Sequence, residues 1–130
     1  MSDYGTAAVN AVKLYTTRRT ESPQEAWERA TAIIFGQGTS SQSKGCPRDA
    51  FLGLCEEGLI EGVPDGKYTR SKKNKKYAID AVTVLKQRPE LVTDLNGLWR
   101  EVMRGQSKVH NSQMDVVASL WRNGLLTAKR

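Results

Sequence analysis

The chain has 130 residues, 38% hydrophobic and 26% charged, with a formal charge of +6. That length holds one domain and leaves no room for a second catalytic one, because single cores take about 100–150 residues. No apolar run nears the ~18 residues of a membrane helix, and a start that is acidic at Asp3 with no base before Lys13 does not fit a secretory signal.

The first helix is predicted from about Tyr4 to Arg18, with Tyr4, Ala8, Ala11, Val12 and Tyr15 on one stripe. Ser22-Pro23-Gln24-Glu25 reads as a capping box with Pro at the first helical position. Ala26, Trp27, Ala30, Ile33 and Ile34 keep helical spacing up to Gly36. Gly36 to Gly45 is rich in Gly, Ser and Gln and reads as a loop. Pro47 opens a third helix with Ala50, Phe51, Leu54 and Cys55 inward; Gly58 closes it, and Leu59 is the hydrophobic partner of a Schellman ending. Val63-Pro64-Asp65-Gly66 is a turn, and a short hairpin near 59–69 is the one place where strand is expected. A fourth helix carries Tyr77, Ala78, Ala81, Val82 and Leu85. Pro89 ends it and starts a fifth, with Leu95, Leu98, Trp99, Val102 and Met103 inward, broken at Gly105. Asn111 or Ser112 caps a sixth, with Met114, Val117, Ala118 and Trp121 inward and Gly124 at its end. The fold class that follows is all-α, a compact single domain of about six helices spanning 1–130.

The halves echo each other in order. Ala8-Val9-Asn10-Ala11-Val12 resembles Ala78-Ile79-Asp80-Ala81-Val82, Pro23 matches Pro89, Gln42-Ser43-Lys44 recurs as Gln106-Ser107-Lys108, and Gly58-Leu59-Ile60 as Gly124-Leu125-Leu126. A duplicated three-helix unit fits, with halves at about 8–60 and 78–126 related by a pseudo-two-fold axis. Chance likeness between Gly-capped amphipathic helices is the other explanation. The tryptophans do not obey the repeat: Trp27 lies 4 residues after its proline and Trp99 lies 10 after.

Charge is the most informative feature for function. Lys67, Arg70, Lys72, Lys73, Lys75 and Lys76 place six bases in ten residues with no acid, and the remaining 14 bases and 14 acids cancel. The whole net charge therefore sits in a basic connector, 67–76, between the halves. Such a concentration attracts polyanions, and the flanking Tyr68 and Tyr77 are placed to stack on bases. Binding of nucleic acid through phosphates, without sequence readout, is one reading. A solvated linker and an acidic protein partner are the others.

A second candidate set lies at helix N-termini. Ser43, Lys44 and Cys46 precede or open one helix, and Ser107, Lys108, His110 and Asn111 precede another. Helix N-termini attract anions through free N–H groups. Simple surface capping is the plainer alternative, and His110-Asn111-Ser112-Gln113 suits a polar cap. Cys46, near Lys44 at a helix N-terminus, has two features that favour thiolate, but nothing in the sequence sets His110 beside it.

Other chemistries are excluded. Two cysteines and a lone His110, with no CxxC, do not make a zinc site. Cys46 and Cys55 on one helix lie roughly 13 Å apart along its axis, too far for a disulfide. Gly36-Gln37-Gly38 lacks the third glycine of a dinucleotide turn, and Lys44-Gly45 reverses the P-loop order. The segment Phe51 to Ile60, followed by a Pro-Asp-Gly turn and basic residues, resembles a winged helix loosely, yet its helix offers Arg48, Asp49, Glu56 and Glu57 and is net acidic.

The runs Lys44-Gly45-Cys46-Pro47, Ala50 to Gly58, Gly66-Lys67-Tyr68, Asn74 to Ala78 and His110 to Val117 resemble a family of small uncharacterised bacterial proteins found among mobile gene cassettes. That resemblance implies a bacterial, cytoplasmic setting and brings no activity, cofactor or catalytic residue. The combined expectation is a non-catalytic binding or adaptor module, with no cofactor and no membrane association. Its partner is an unknown protein or nucleic acid.

Overall fold

A computed structural model describes residues 2–127. It contains six α-helices: α1 (Asp3–Thr16), α2 (Pro23–Phe35), α3 (Gly45–Glu56), α4 (Lys72–Gln87), α5 (Leu95–Met103) and α6 (Gln113–Arg122). A 3-10 turn, Pro89–Thr93, separates α4 from α5. The all-α class is as the periodicity predicts.

Local chemistry sets the helix ends. Ser2 caps α1, Ser22 caps α2 and Ser71 caps α4, each accepting a backbone N–H through its hydroxyl. The Ser22 hydroxyl accepts the Glu25 N–H at 3.1 Å, and the Glu25 carboxylate reaches back past the cap to accept the Glu21 N–H at 2.8 Å, a variant of the capping box. Asp94 accepts the Gly97 N–H at 3.0 Å and starts α5. That cap explains why Pro89 opens only a short turn instead of the fifth helix itself.

α1 packs on α2 and α6, α3 on α4 and α6, and α4 on α5 and α6. The core lies where these meet. Trp27 and Phe51 stack within it with ring centroids 5.3 Å apart, and Leu54, Leu85, Leu98, Met114 and Val117 belong to the same cluster. Of the positions expected on the helical stripes, Tyr4, Tyr15, Ile34, Tyr77, Leu95 and Trp121 are only half-buried. Ile33 is 78% exposed, because α2 is an outer helix.

Three expectations change. α3 starts at Gly45, ahead of Pro47. The hairpin near 59–69 does not form: Ile60 pairs antiparallel with Leu126 as an isolated bridge, and 63–69 is irregular. The basic segment is not a free connector, because α4 begins at Lys72 and takes four of the six bases into its first two turns. Lysines at a helix N-terminus oppose its dipole. Here the Ser71 cap and the carboxylates at the end of α3 compensate.

Some helix pairings repeat between the expected halves, but they do not establish the pseudo-two-fold axis. α1 packs on α6 as α4 packs on α3, and α1 on α2 as α4 on α5. The close contact of α4 with α6 has no counterpart of similar extent between α1 and α3 among the described residues.

Candidate functional site

The six bases of 67–76 separate into three environments. Lys75 is clamped: its ammonium lies 2.6 Å from Glu56 Oε2 and 2.7 Å from Glu57 Oε1. Glu56 Oε1 also accepts the backbone N–H of Tyr68 at 2.8 Å and of Thr69 at 3.3 Å. One carboxylate therefore fixes both α4 and the loop before it. The Lys75 ammonium hydrogen-bonded to Glu56 holds that carboxyl below the usual range, and the same hydrogen bond to Glu56 raises Lys75. Lys76 pairs along its own helix with Asp80 at 2.6 Å. Lys67 is exposed in the loop.

Arg70, Lys72 and Lys73 share a further space. They line a cleft of about 510 Å³ together with Lys108, Cys46, Asn111 and Gln113. Ser71, Asn74, Tyr77, Trp99 and Val109 complete its wall. Four cations surround this space, and its lining includes no carboxylate. A larger neighbouring cavity of about 650 Å³ shares Arg70 and Lys72 and also contains the clamped Lys75, Lys76, Glu56 and Asp80, so its positive charge is offset in part by two carboxylates. Tyr68 belongs to a third depression beside Leu52 and donates its hydroxyl to the Pro64 carbonyl at 2.8 Å; it does not face the cationic cleft.

Three helices start at the cleft: α3 at Gly45–Cys46, α4 at Ser71–Lys72 and α6 at Asn111–Gln113. α3 has no side-chain cap. On α6 the cap comes from His110, whose Nε2 accepts the Met114 N–H at 3.0 Å, and not from Ser112. Burial holds the His110 imidazole below its ordinary pKa, and Lys44 lowers it further while Asp115 opposes. A neutral ring suits the acceptor role. Gln113 closes the far side by donating to Asn74 Oδ1 at 3.1 Å and accepting the Asn111 N–H at 2.8 Å.

Lys108 is held in place by aromatics. Its ammonium donates to the Tyr77 hydroxyl at 3.1 Å and lies 5.8 Å from the centre of that ring. This hydrogen bond to Tyr77 raises the lysine pKa, so the charge is secure. The Trp99 indole N–H donates to the Lys108 carbonyl at 2.9 Å, and the His110 ring lies 5.2 Å from that of Trp99.

The structure thus brings part of each predicted set together. Arg70, Lys72 and Lys73 from the basic segment meet Cys46, Lys108 and Asn111 from the helix N-termini. Lys44 sits over the Tyr4 ring at 5.7 Å and is not in the cleft lining. Ser43 bonds locally to the Thr39 and Ser40 carbonyls. Ser107 is exposed outside the lining. His110 stands behind the lining as the α6 cap. Sequence reasoning missed Asn74, Trp99, Val109 and Gln113 as cleft residues. Trp99 lies on an apolar stripe and reads as core, and the Asn74–Gln113 bond spans 39 positions with no local signature.

Fold and site together define an all-α domain with a cleft lined by four cations and no carboxylate. The chain belongs to DUF6979, a family of unknown function, which matches it over residues 1–127. Neither the curated proteins nor the solved structures gave a match. Among the described residues, no helix is long and apolar enough to cross a membrane.

Proposed function

We propose that this protein is a non-catalytic binding module that captures nucleic acid through its phosphates at the cleft of Arg70, Lys72, Lys73 and Lys108. The observation that carries the reading is four cations around one concavity lined by no carboxylate. Phosphate contacts supply affinity without reading sequence. Three helix N-termini add partial positive charge at the same place. Lysines act as point charges without the planar fork of Arg, so specific base readout is not expected from them. A bacterial cytoplasmic setting, implied by the gene-cassette resemblance, suits such a protein. The test is electrophoretic retardation of labelled nucleic acid by wild type and by Lys72→Gln/Lys73→Gln/Lys108→Gln. Retardation by wild type and its loss in the variant support the reading; equal behaviour of the two rejects it.

An adaptor role toward another protein is the second reading. Ile33 favours it, being 78% exposed beside a depression of about 300 Å³ that includes Leu14 and Ala30. Capture of a protein partner by wild type and not by Ile33→Lys is the corresponding test.

A further inference from the structure

We infer that the cleft selects single-stranded nucleic acid over duplex, seating one unpaired base against the wall of Tyr77, Trp99 and Val109 while Arg70, Lys72 and Lys73 hold the flanking phosphates. This rests on the nucleic-acid reading above and adds the ligand class.

Shape is the first argument. The cleft encloses about 510 Å³, within the roughly 300–1,000 Å³ of pockets that surround small ligands. A duplex keeps its bases stacked inside and offers phosphates on a convex surface, so it reaches the rim cations but cannot fill the concavity. A single strand can splay a base inward, and aromatic walls hold bases without regard to sequence.

The arrangement of polar and apolar groups is the second. Tyr77 follows Lys73 by four positions on α4, so phosphate and ring contacts rise from one helix face. Trp99 meets Tyr77 edge-on at 5.3 Å and 80°, and its only polar atom is already bonded to Lys108, which leaves a fixed apolar surface. Val109 is 81% exposed on the same wall, an apolar side chain that a bound base would cover. The ammonium of Lys108 lies over the Tyr77 ring, 5.8 Å from its centre, so a base on this wall would share it with the cation. The larger cavity nearby shares Arg70 and Lys72 but has no aromatic wall, and Glu56 and Asp80 stand among its cations.

The experiment is fluorescence anisotropy of the full chain with a labelled mixed-sequence oligonucleotide and with its duplex, at one low ionic strength. The single strand is expected to bind at least about fivefold tighter, the low end of one stacked base. Tyr77→Leu should bring single-strand affinity down to the duplex level, and Tyr77→Phe should keep it. Equal wild-type affinity for the two forms, both lost in Lys72→Gln/Lys73→Gln/Lys108→Gln, overturns the strand selection and leaves the phosphate reading intact. No binding of either form overturns both. Undiminished single-strand preference in a folded Tyr77→Leu shows that the base does not use this wall and overturns the inference. Tyr77→Leu also loses packing against Trp99, so circular dichroism checks its fold; if it is unfolded, the wild-type affinity ratio and Tyr77→Phe decide.

Discussion

Ile60 and Leu126 form an isolated antiparallel bridge, and the hydrogen bonds on either side of it are equivalent under a shift of 66 residues. Glu61 N–H donates to the Leu125 carbonyl and Thr127 N–H to the Leu59 carbonyl, both at 2.8 Å. The helix ends before them match as well. Leu59 N–H bonds to the Leu54 carbonyl and Leu125 N–H to that of Leu120, both at 3.0 Å, around Gly58 at φ +70° and Gly124 at φ +67°. Two helix crossings match too: a Cβ on Gly53 would meet Lys75 Cα at 2.6 Å, and one on Gly5 would meet the Ser119 side chain. The relation fails in charge. Aligning Gly5 with Lys75 sets Ser2 and Asp3 opposite Lys72 and Lys73, so the two helix starts differ in charge.

The two crossings predict different responses to a methyl group. Gly53→Ala drives a Cβ into the Lys75 backbone and should cost about 1–3 kcal/mol, with no cure by substitution at Lys75. Gly5→Ala meets mainly the Ser119 hydroxymethyl group, so Ser119→Gly should restore much of its loss. Urea denaturation of the single and double variants measures both; additive losses at Gly5 and Ser119 would contradict the contact.

Phe51 is 1% exposed and stacks on Trp27 in the core cluster. Phe51→Ala should destabilise by about 3–5 kcal/mol. A shift in denaturation midpoint well below that range would mean the surrounding helices close over the gap.

The His110 cap predicts a pH dependence. Burial lowers its folded pKa, so the folded state binds fewer protons than the unfolded one near neutrality. Stability should be full above the ordinary histidine pKa and fall as pH drops through the folded value. Denaturation between about pH 8 and 5, repeated with His110→Gln, checks it; the variant should lose this slope.

Glu56 acts in the same direction at lower pH. Its carboxyl is depressed by the Lys75 hydrogen bond, so its contribution is present above the usual carboxylate range and lost as pH falls through the folded value. Glu56→Gln removes the charge that holds Lys75 and weakens the acceptor for Tyr68 and Thr69. Amide exchange at those two N–H groups should accelerate while that of α1 does not.

The helices are legible in the sequence because apolar spacing and caps act locally: Ser22-Pro23 and Gly58-Leu59 mark their ends as expected. The start of α4 is not legible. Four lysines in its first two turns look like a solvated connector, and the carboxylates that make a helix there tolerable come from the end of α3, 18 or 19 positions away. The cleft is half legible for the same reason. Its charges stand in one run, but the division into clamped Lys75, paired Lys76 and free-facing Lys72 and Lys73 depends on which helix lies opposite each side chain. Lys108 and Gln113 join them only through tertiary packing.

The salt dependence of single-strand binding tests the central claim most directly. Each neutralised phosphate contributes about 0.7 to the log–log slope on a single strand. Three or four engaged cleft cations therefore give a slope of roughly 2–3. Lys72→Gln/Lys73→Gln/Lys108→Gln should reduce it to below about 1, and the fold should survive because exposed substitutions usually cost less than about 0.5 kcal/mol each. Lys67→Gln/Lys76→Gln removes two equally basic residues outside the cleft and should leave the slope almost unchanged. A slope that falls as much in the second variant as in the first would contradict the account, because the charge would then act as a diffuse patch and not as a site.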